Sequence, residues 1–321
     1  MSEIHSSSTK RHLLTVLLED YFHVGAFNGL IERANWYRFE TRFESNTLKT
    51  LDLLDRFDIK ATFFVLGWIA DRQPQLVREV AARGHEIASR GYYHRSLRHL
   101  TPQEFREDLA RSREALERAS GTEVIGYRAP RRLFLPSDSW ALDVLAEEGY
   151  AYDSSVVPTF RSARANRVAY KHHYAGKEIW EFPVATCNVL GWPVPIAGGN
   201  FSRQIPHTLL KHLVDRWHRT SPAPFVMYFH VWELDPEQPR INGAPMLAKL
   251  RHYRKLDKMA WVLDDYFSKY RFVGVADYLG LSTGRNPAQA TRAEHAFASR
   301  PASEVASEAT VPQPRTRASL E

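Results

Sequence analysis

The chain has 321 residues, 44% hydrophobic and 25% charged, which permits one large α/β domain or two small ones and excludes a disordered or collagen-like chain. Net charge is +6 and the isoelectric point is near 9.3, which suits an acidic glycan, an anionic membrane surface or nucleic acid. The basic residues are spread along the chain rather than gathered in runs, which argues against nucleic acid. A single cysteine, Cys187, rules out an internal disulfide and points to a reducing compartment. Residues 1–11 are polar and lack the apolar run of a signal peptide, and no apolar stretch approaches the roughly 20 residues that span a bilayer. A cytoplasmic protein is the expectation.

Residues 1–11 read as a flexible start. Short β-rich apolar runs follow at 13–18, 61–66, 86–89, 124–127, 179–184, 225–229 and 272–275, with helical patterns between most of them. Leu48, Leu51, Leu54 and Phe57 recur at helical spacing. Pro74 opens a second helix with Leu76, Val77 and Val80 on one face. Thr101-Pro102-Gln103-Glu104 is a capping box, and the helix that it starts carries Phe105, Leu109 and Leu116. Trp140, Val144 and Leu145 mark another helix. Residues 247–266 carry an apolar stripe that should pack on the sheet. From 285 to 321 the composition turns to Ala, Ser, Pro, Glu and Arg without period, the pattern of a disordered tail or linker. Alternating strands and helices predict a parallel sheet, open or closed into a barrel, with functional groups at the C-terminal strand ends.

Polar clusters stand where strands should end. Glu19-Asp20-Tyr21-Phe22-His23 places two carboxylates after the first strand, able to hold a metal or act as a base. Arg90-Gly91-Tyr92-Tyr93-His94 follows the third run, Gly126-Tyr127-Arg128-Ala129-Pro130 the fourth, and Tyr152-Asp153-Ser154-Ser155 comes next. His230-Val231-Trp232-Glu233 ends the run at 225–229, and a histidine there is a general acid or base candidate.

The order of these clusters resembles the polysaccharide deacetylase family, also called NodB-homology or carbohydrate esterase family 4, and most resembles its exosortase-linked exopolysaccharide branch. The likeness covers most of residues 12–284. It implies a distorted (β/α)7 barrel that removes acetyl groups from N-acetylated sugars. It also implies zinc or another divalent metal, which polarises the amide and lowers the pKa of a bound water. In this family an aspartate ending the first strand is the base, a carboxylate just after it and a His-x-x-x-His pair hold the metal, an arginine orients the base, and a late histidine protonates the leaving amine.

Carried over by position, the base is Leu17, which cannot take a proton. Glu19 or Asp20 matches the metal-ligating carboxylate. The first histidine of the pair is Arg90 and the second is His94; an arginine has no lone pair to give and repels a cation at short range. Arg128 matches the orienting arginine, Asp153 a further motif residue and His230 the late histidine. The resemblance therefore leaves Asp20 and His94 as an incomplete metal site, with Glu19, Asp20, Arg128, Asp153 and His230 as the catalytic candidates. Arg90 would pair with Glu19 or Asp20, or face an acidic sugar. Tyr92, Trp192 and Trp232 are candidates to stack on sugar, with core packing as the alternative.

Three functions remain open from the sequence. The chain is a metal-dependent deacetylase on a reduced site, a metal-independent amidase-type hydrolase, or a non-catalytic protein that binds a glycan or lipid-linked oligosaccharide in exopolysaccharide metabolism. What occupies the space beside Arg90 separates them.

Overall fold

The computed structural model describes residues 10–27, 30–130, 138–158, 167–189 and 191–284. Its strands are β1 (Arg11–Leu18), β2 (Thr62–Val65), β3 (Glu86–Ser89), β4 (Gly126–Tyr127), β5 (Tyr152–Asp153), β6 (Tyr170–Tyr174), β7 (Lys177–Glu181), β8 (Thr186–Val189), β9 (Trp192–Pro195), β10 (Val226–His230) and β11 (Arg271–Val273). The main sheet runs β10-β1-β2-β3-β4-β5-β7-β6. From β10 to β7 neighbouring strands pair in parallel, giving the seven parallel strands of a curled, open (β/α)7 barrel. The β6–β7 hairpin adds an antiparallel edge, and β11 pairs beside the start of β1. The expected seven-stranded architecture is therefore the observed one.

Local sequence explains most elements. Thr101 Oγ1 accepts from the amide of Glu104 at 3.2 Å while the Thr101 amide donates to Glu104 Oε2 at 2.8 Å. This is the expected capping box, and it stabilises the helix Pro102–Ser120 by about 1 kcal/mol. That helix ends at Gly121, whose φ of +71° suits a residue without a Cβ. The helix Phe43–Arg56 buries Leu51 and Leu54, but Leu48 lies on its exposed side. The strand expected at 124–127 is reduced to β4. There, tight packing needs a glycine: a Cβ on Gly126 would come within 2.0 Å of the Tyr152 ring.

Several elements depart from the sequence pattern. β6 reads Tyr-Lys-His-His-Tyr and lies half in solvent, so it gives no apolar signal. β9 contains Pro193 and Pro195, residues that fit only an edge, and pairs in the separate β8–β9 hairpin. The apolar stripe over 247–266 is broken. One helix ends at Tyr253, the next runs from Met259 to Lys269, and Leu247 is 78% exposed instead of packed on the sheet. Among the described residues no helix is long and apolar enough to cross a membrane. The expected tail at 285–321 lies outside the described residues, as does nearly all of the expected flexible start; Arg11 already belongs to β1.

Candidate functional site

The parallel strands deliver the polar clusters to one end of the sheet. Glu19 follows β1, Arg90 follows β3, Arg128 follows β4, Asp153 ends β5, Glu181 ends β7 and His230 ends β10. Register fixes their neighbours: Leu17 lies across from His230 on one side and Phe64 on the other, and Asp153 lies across from Glu181. A cavity of ≈ 620 Å³ opens over these ends, its wall including Leu17, Glu19, Arg128, Tyr228, His230 and Trp232.

Glu19 is the hub. Its Oε2 accepts from Arg90 Nε at 2.7 Å and lies 3.1 Å from His94 Nε2, while Oε1 lies 3.1 Å from His230 Nε2. On its far side His230 Nδ1 meets Glu233 Oε2 at 3.2 Å, and Glu233 Oε1 accepts from Arg203 Nε at 3.0 Å and Nη2 at 2.8 Å. The result is a buried row in which cation and anion alternate from Arg90 through Glu19, His230 and Glu233 to Arg203. Burial alone would raise the Glu19 pKa, but the guanidinium of Arg90 and the imidazoles of His94 and His230, each 3.1 Å from one of its oxygens, hold it well below the usual carboxylate range. Glu233 is held at about 2 against burial by Arg203 and His230. Burial opposes the charged form of His230, yet its two carboxylate partners raise its pKa, whereas burial lowers that of His94. His94 is also held at φ +56°, a left-handed conformation unusual outside glycine.

The expectation for Asp20 is overturned. Its Oδ2 accepts from the amides of Arg42 at 2.7 Å and Phe43 at 3.2 Å, and its Oδ1 from Tyr21 at 2.9 Å. Asp20 thus ties the loop after β1 to the start of the helix Phe43–Arg56 and takes no part in the Glu19 cluster. Burial lifts its pKa to about 6 despite those three donors. Arg90 lines the cavity, but its donors are spent on Glu19, the carbonyl of Ala129 at 3.2 Å and that of Pro130 at 3.1 Å, so it does not wait for a sugar. Tyr92 is no sugar platform either. Its hydroxyl donates to Asp71 at 2.6 Å and Arg111 covers its ring at 3.8 Å, beneath the helix Pro102–Ser120. Trp192 sits 64% exposed on the β8–β9 hairpin, away from the cavity lining. Trp232 does line the cavity, stacked on His252 at 4.2 Å.

Arg128 is buried. It donates to Ser154 Oγ at 3.3 Å and lies 4.3 Å from the centre of the Tyr228 ring. Burial, with Arg90 nearby, lowers its pKa to about 10. Asp153 accepts from the Ser155 hydroxyl at 2.6 Å and amide at 3.0 Å. Burial raises the pKa of both Asp153 and Glu181, and the negative charge of Asp153 raises that of Glu181 further. Sequence reasoning missed Arg203 altogether. Its one legible signal is the Gly198-Gly199 pair: Gly198 has φ +100°, and a Cβ on Gly199 would fall 1.8 Å from Glu233 Oε2. Both glycines bring the short helix Gly199–Gln204, and Arg203 with it, onto Glu233.

The residues present do not fit a divalent metal. Both oxygens of Glu19 are shared among Arg90, His94 and His230, and a cation there would meet a permanent guanidinium whose Nε is 2.7 Å from the same oxygen. Among the described residues no group of three or more His, Cys, Asp or Glu side chains is arranged to hold a metal.

Comparison with known proteins accords with this architecture. Residues 32–152 match the polysaccharide deacetylase family, and residues 154–280 match a domain of unknown function, DUF3473. Over residues 32–152 the chain thus carries a polysaccharide deacetylase domain of the carbohydrate esterase family 4, NodB-like type. It is 32% identical over 105 residues to a chitooligosaccharide deacetylase of Bradyrhizobium sp. (strain ANU 289), covering 33% of this chain and 46% of that one. It is 27% identical over 142 residues to a peptidoglycan-N-acetylglucosamine deacetylase of Bacillus cereus, covering 40% and 52%. The chain thus matches about half the length of these relatives. In fold it resembles a Mycobacterium smegmatis protein assigned to the polysaccharide deacetylases, with TM-score 0.57 and 20% identity over 97% of this chain and 96% of that one. It also resembles the allantoinase PuuE, with TM-score 0.53 and 16% identity over 90% of each.

Proposed function

We propose that this protein is a glycan-binding member of the polysaccharide deacetylase family that does not carry out the family's metal-assisted hydrolysis, and that it serves exopolysaccharide metabolism in the cytoplasm, with a glycan or lipid-linked oligosaccharide as its partner. The observation that carries the reading is the 2.7 Å pair between Arg90 and Glu19, formed where the resemblance calls for a metal, beside a leucine where it calls for the base. Activating water needs a group that can accept its proton. Leu17 has none, Glu19 is left a weak base because Arg90, His94 and His230 hold its pKa well below the usual carboxylate range, and His94 is buried against Glu19. The cavity remains, with Trp232 and Tyr228 in its wall as apolar surfaces for a sugar.

The names of the curated relatives make an N-acetylated oligosaccharide the first ligand to try. Protein loaded with zinc and then desalted is assayed for metal by elemental analysis, for acetate release from tetra-N-acetylchitotetraose, and for binding of chito- and peptidoglycan-derived oligosaccharides and acidic exopolysaccharide fragments by calorimetry. Binding without retained zinc or acetate release is expected. Stoichiometric zinc with acetate release would overturn the proposal. One observation favours a second reading, a metal-independent hydrolase: His230 bridges two carboxylates, which raise its pKa against burial, as suits a general acid. Zinc-free acetate release that is abolished in His230→Ala would establish that reading instead.

A further inference from the structure

The cavity wall carries Arg90, Arg128, Arg203 and Arg251 against two carboxylates, Glu19 and Glu233. Those carboxylates are already committed: Glu19 to Arg90, Glu233 to Arg203, and both to His230. Arg128 is left in a different position. It is 6% exposed, and among the described residues no carboxylate comes within ion-pair distance of it. Among the described residues one of its five N–H groups has a hydrogen-bond partner, the Ser154 hydroxyl, which itself donates to the carbonyl of Phe182 at 2.8 Å. The negative field of Asp153 reaches Arg128, but the oxygens of Asp153 are held by Ser155. A buried guanidinium with unused donors is costly unless an anion completes it. The surfaces around it are apolar: Tyr228 lies against its face, and Leu17 stands in the same wall. The guanidinium fork matches a planar carboxylate with two parallel hydrogen bonds.

We propose that the cavity selects a sugar bearing a carboxylate, a hexuronate unit, and that Arg128 receives the carboxylate while Tyr228 and Leu17 form the apolar floor. The assignment rests on the glycan-binding reading and narrows it to acidic glycans. Loss of the family's aspartate at position 17 is then a gain of specificity, because the arginine that an internal anion would have neutralised is open to an external one. At low ionic strength, a charge-assisted bidentate contact gives roughly tenfold to hundredfold preference for the acid over its neutral ester.

The test is titration of the full chain with glucuronate, with methyl glucuronate as the uncharged counterpart, and with glucose, followed by NMR of the arginine Nε–H signals. Glucuronate is expected to shift the Arg128 signal and to bind at least tenfold more tightly than the ester. Arg128→Gln should abolish that preference. Leu17→Asp, which supplies a competing carboxylate and leaves Arg128 in place, should weaken it as well, and it keeps the test open if Arg128→Gln does not fold. Equal affinity for acid and ester, or a preference that survives both substitutions, would overturn the proposal. Neutral oligosaccharides binding as well as acidic ones would sink this inference and leave the glycan-binding reading standing. A glucuronate preference with no oligosaccharide binding at all would do the reverse.

Discussion

Replacing Arg90 with alanine tests the centre of the argument. The side chain is 5% exposed, and the carboxylate it faces 1%. Removing one partner of a buried pair leaves a charge without compensation, at a cost of about 3–5 kcal/mol. Two further contacts vanish with the guanidinium, since the carbonyls of Ala129 and Pro130 lose their donors. His94 and His230 still face Glu19, and Glu19 can take up a proton once Arg90 no longer holds its pKa down. We therefore expect the lower part of that range, about 3 kcal/mol, or a fall of roughly 6 °C in Tm for a domain of this size. The assay is urea unfolding by circular dichroism for wild type, Arg90→Ala, Glu19→Leu and the double variant. Removing both partners should cost less than the sum of the single losses by ~1 kcal/mol or more, because neither charge is then stranded. If Arg90→Ala costs under ~1 kcal/mol, the value of a solvent-exposed pair, or if the two effects simply add, then the pair does not organise the site and the reasoning fails.

Three other expectations follow from the same geometry. Leu17→Asp combined with Arg90→His removes the guanidinium and sets a new imidazole beside Glu19 and His94, so this variant should retain about one zinc per chain by elemental analysis where the wild type retains none. Asp20→Ala removes the acceptor for three backbone amides, two of them at the start of the helix Phe43–Arg56; it should lower stability by ~1–2 kcal/mol in chemical unfolding and leave ligand affinity unchanged, since Asp20 is not in the cavity wall. Burial keeps His12, His23 and His252 neutral with pKa about 3 and His85 with pKa about 4, all below the ordinary 6.5. Below pH 6.5 the unfolded chain binds protons that the folded one refuses, so their contribution is complete above pH 6.5 and is lost as pH falls toward 3–4, each by up to about 1.4 kcal/mol per pH unit. Asp20, with its pKa raised to about 6, opposes the trend between pH 6 and 4, as do Asp153, Glu181 and His230, whose pKa values are also raised, while His94, whose pKa is lowered, adds to it. A Tm that stays level between pH 7 and 5 would contradict this account.

The alternation of apolar runs and helical patterns was enough to read six of the seven barrel strands, because each buried strand needs an apolar run and each crossover an amphipathic helix; β5, two residues long, read only as a polar cluster, and the run at 272–275 became β11 beside β1. Edge pieces escaped, since β6 and β9 bury little and carry no such pattern. Residue chemistry was equally legible: a leucine takes no proton and an arginine offers no lone pair, whatever surrounds Leu17 and Arg90. The choice between Glu19 and Asp20 was not legible. Adjacent side chains leave an extended chain in opposite directions, and only the packed helix Phe43–Arg56 decided that Asp20 turns to its amides while Glu19 turns to the cavity. Nor was the partner of Glu233, since Arg203 lies 30 positions away and reaches it through a close approach that two glycines permit. Residue types fix which chemistry is possible at a position. Which charges meet is decided by tertiary packing, because a buried charge must find its counterpart in space wherever the chain has placed it.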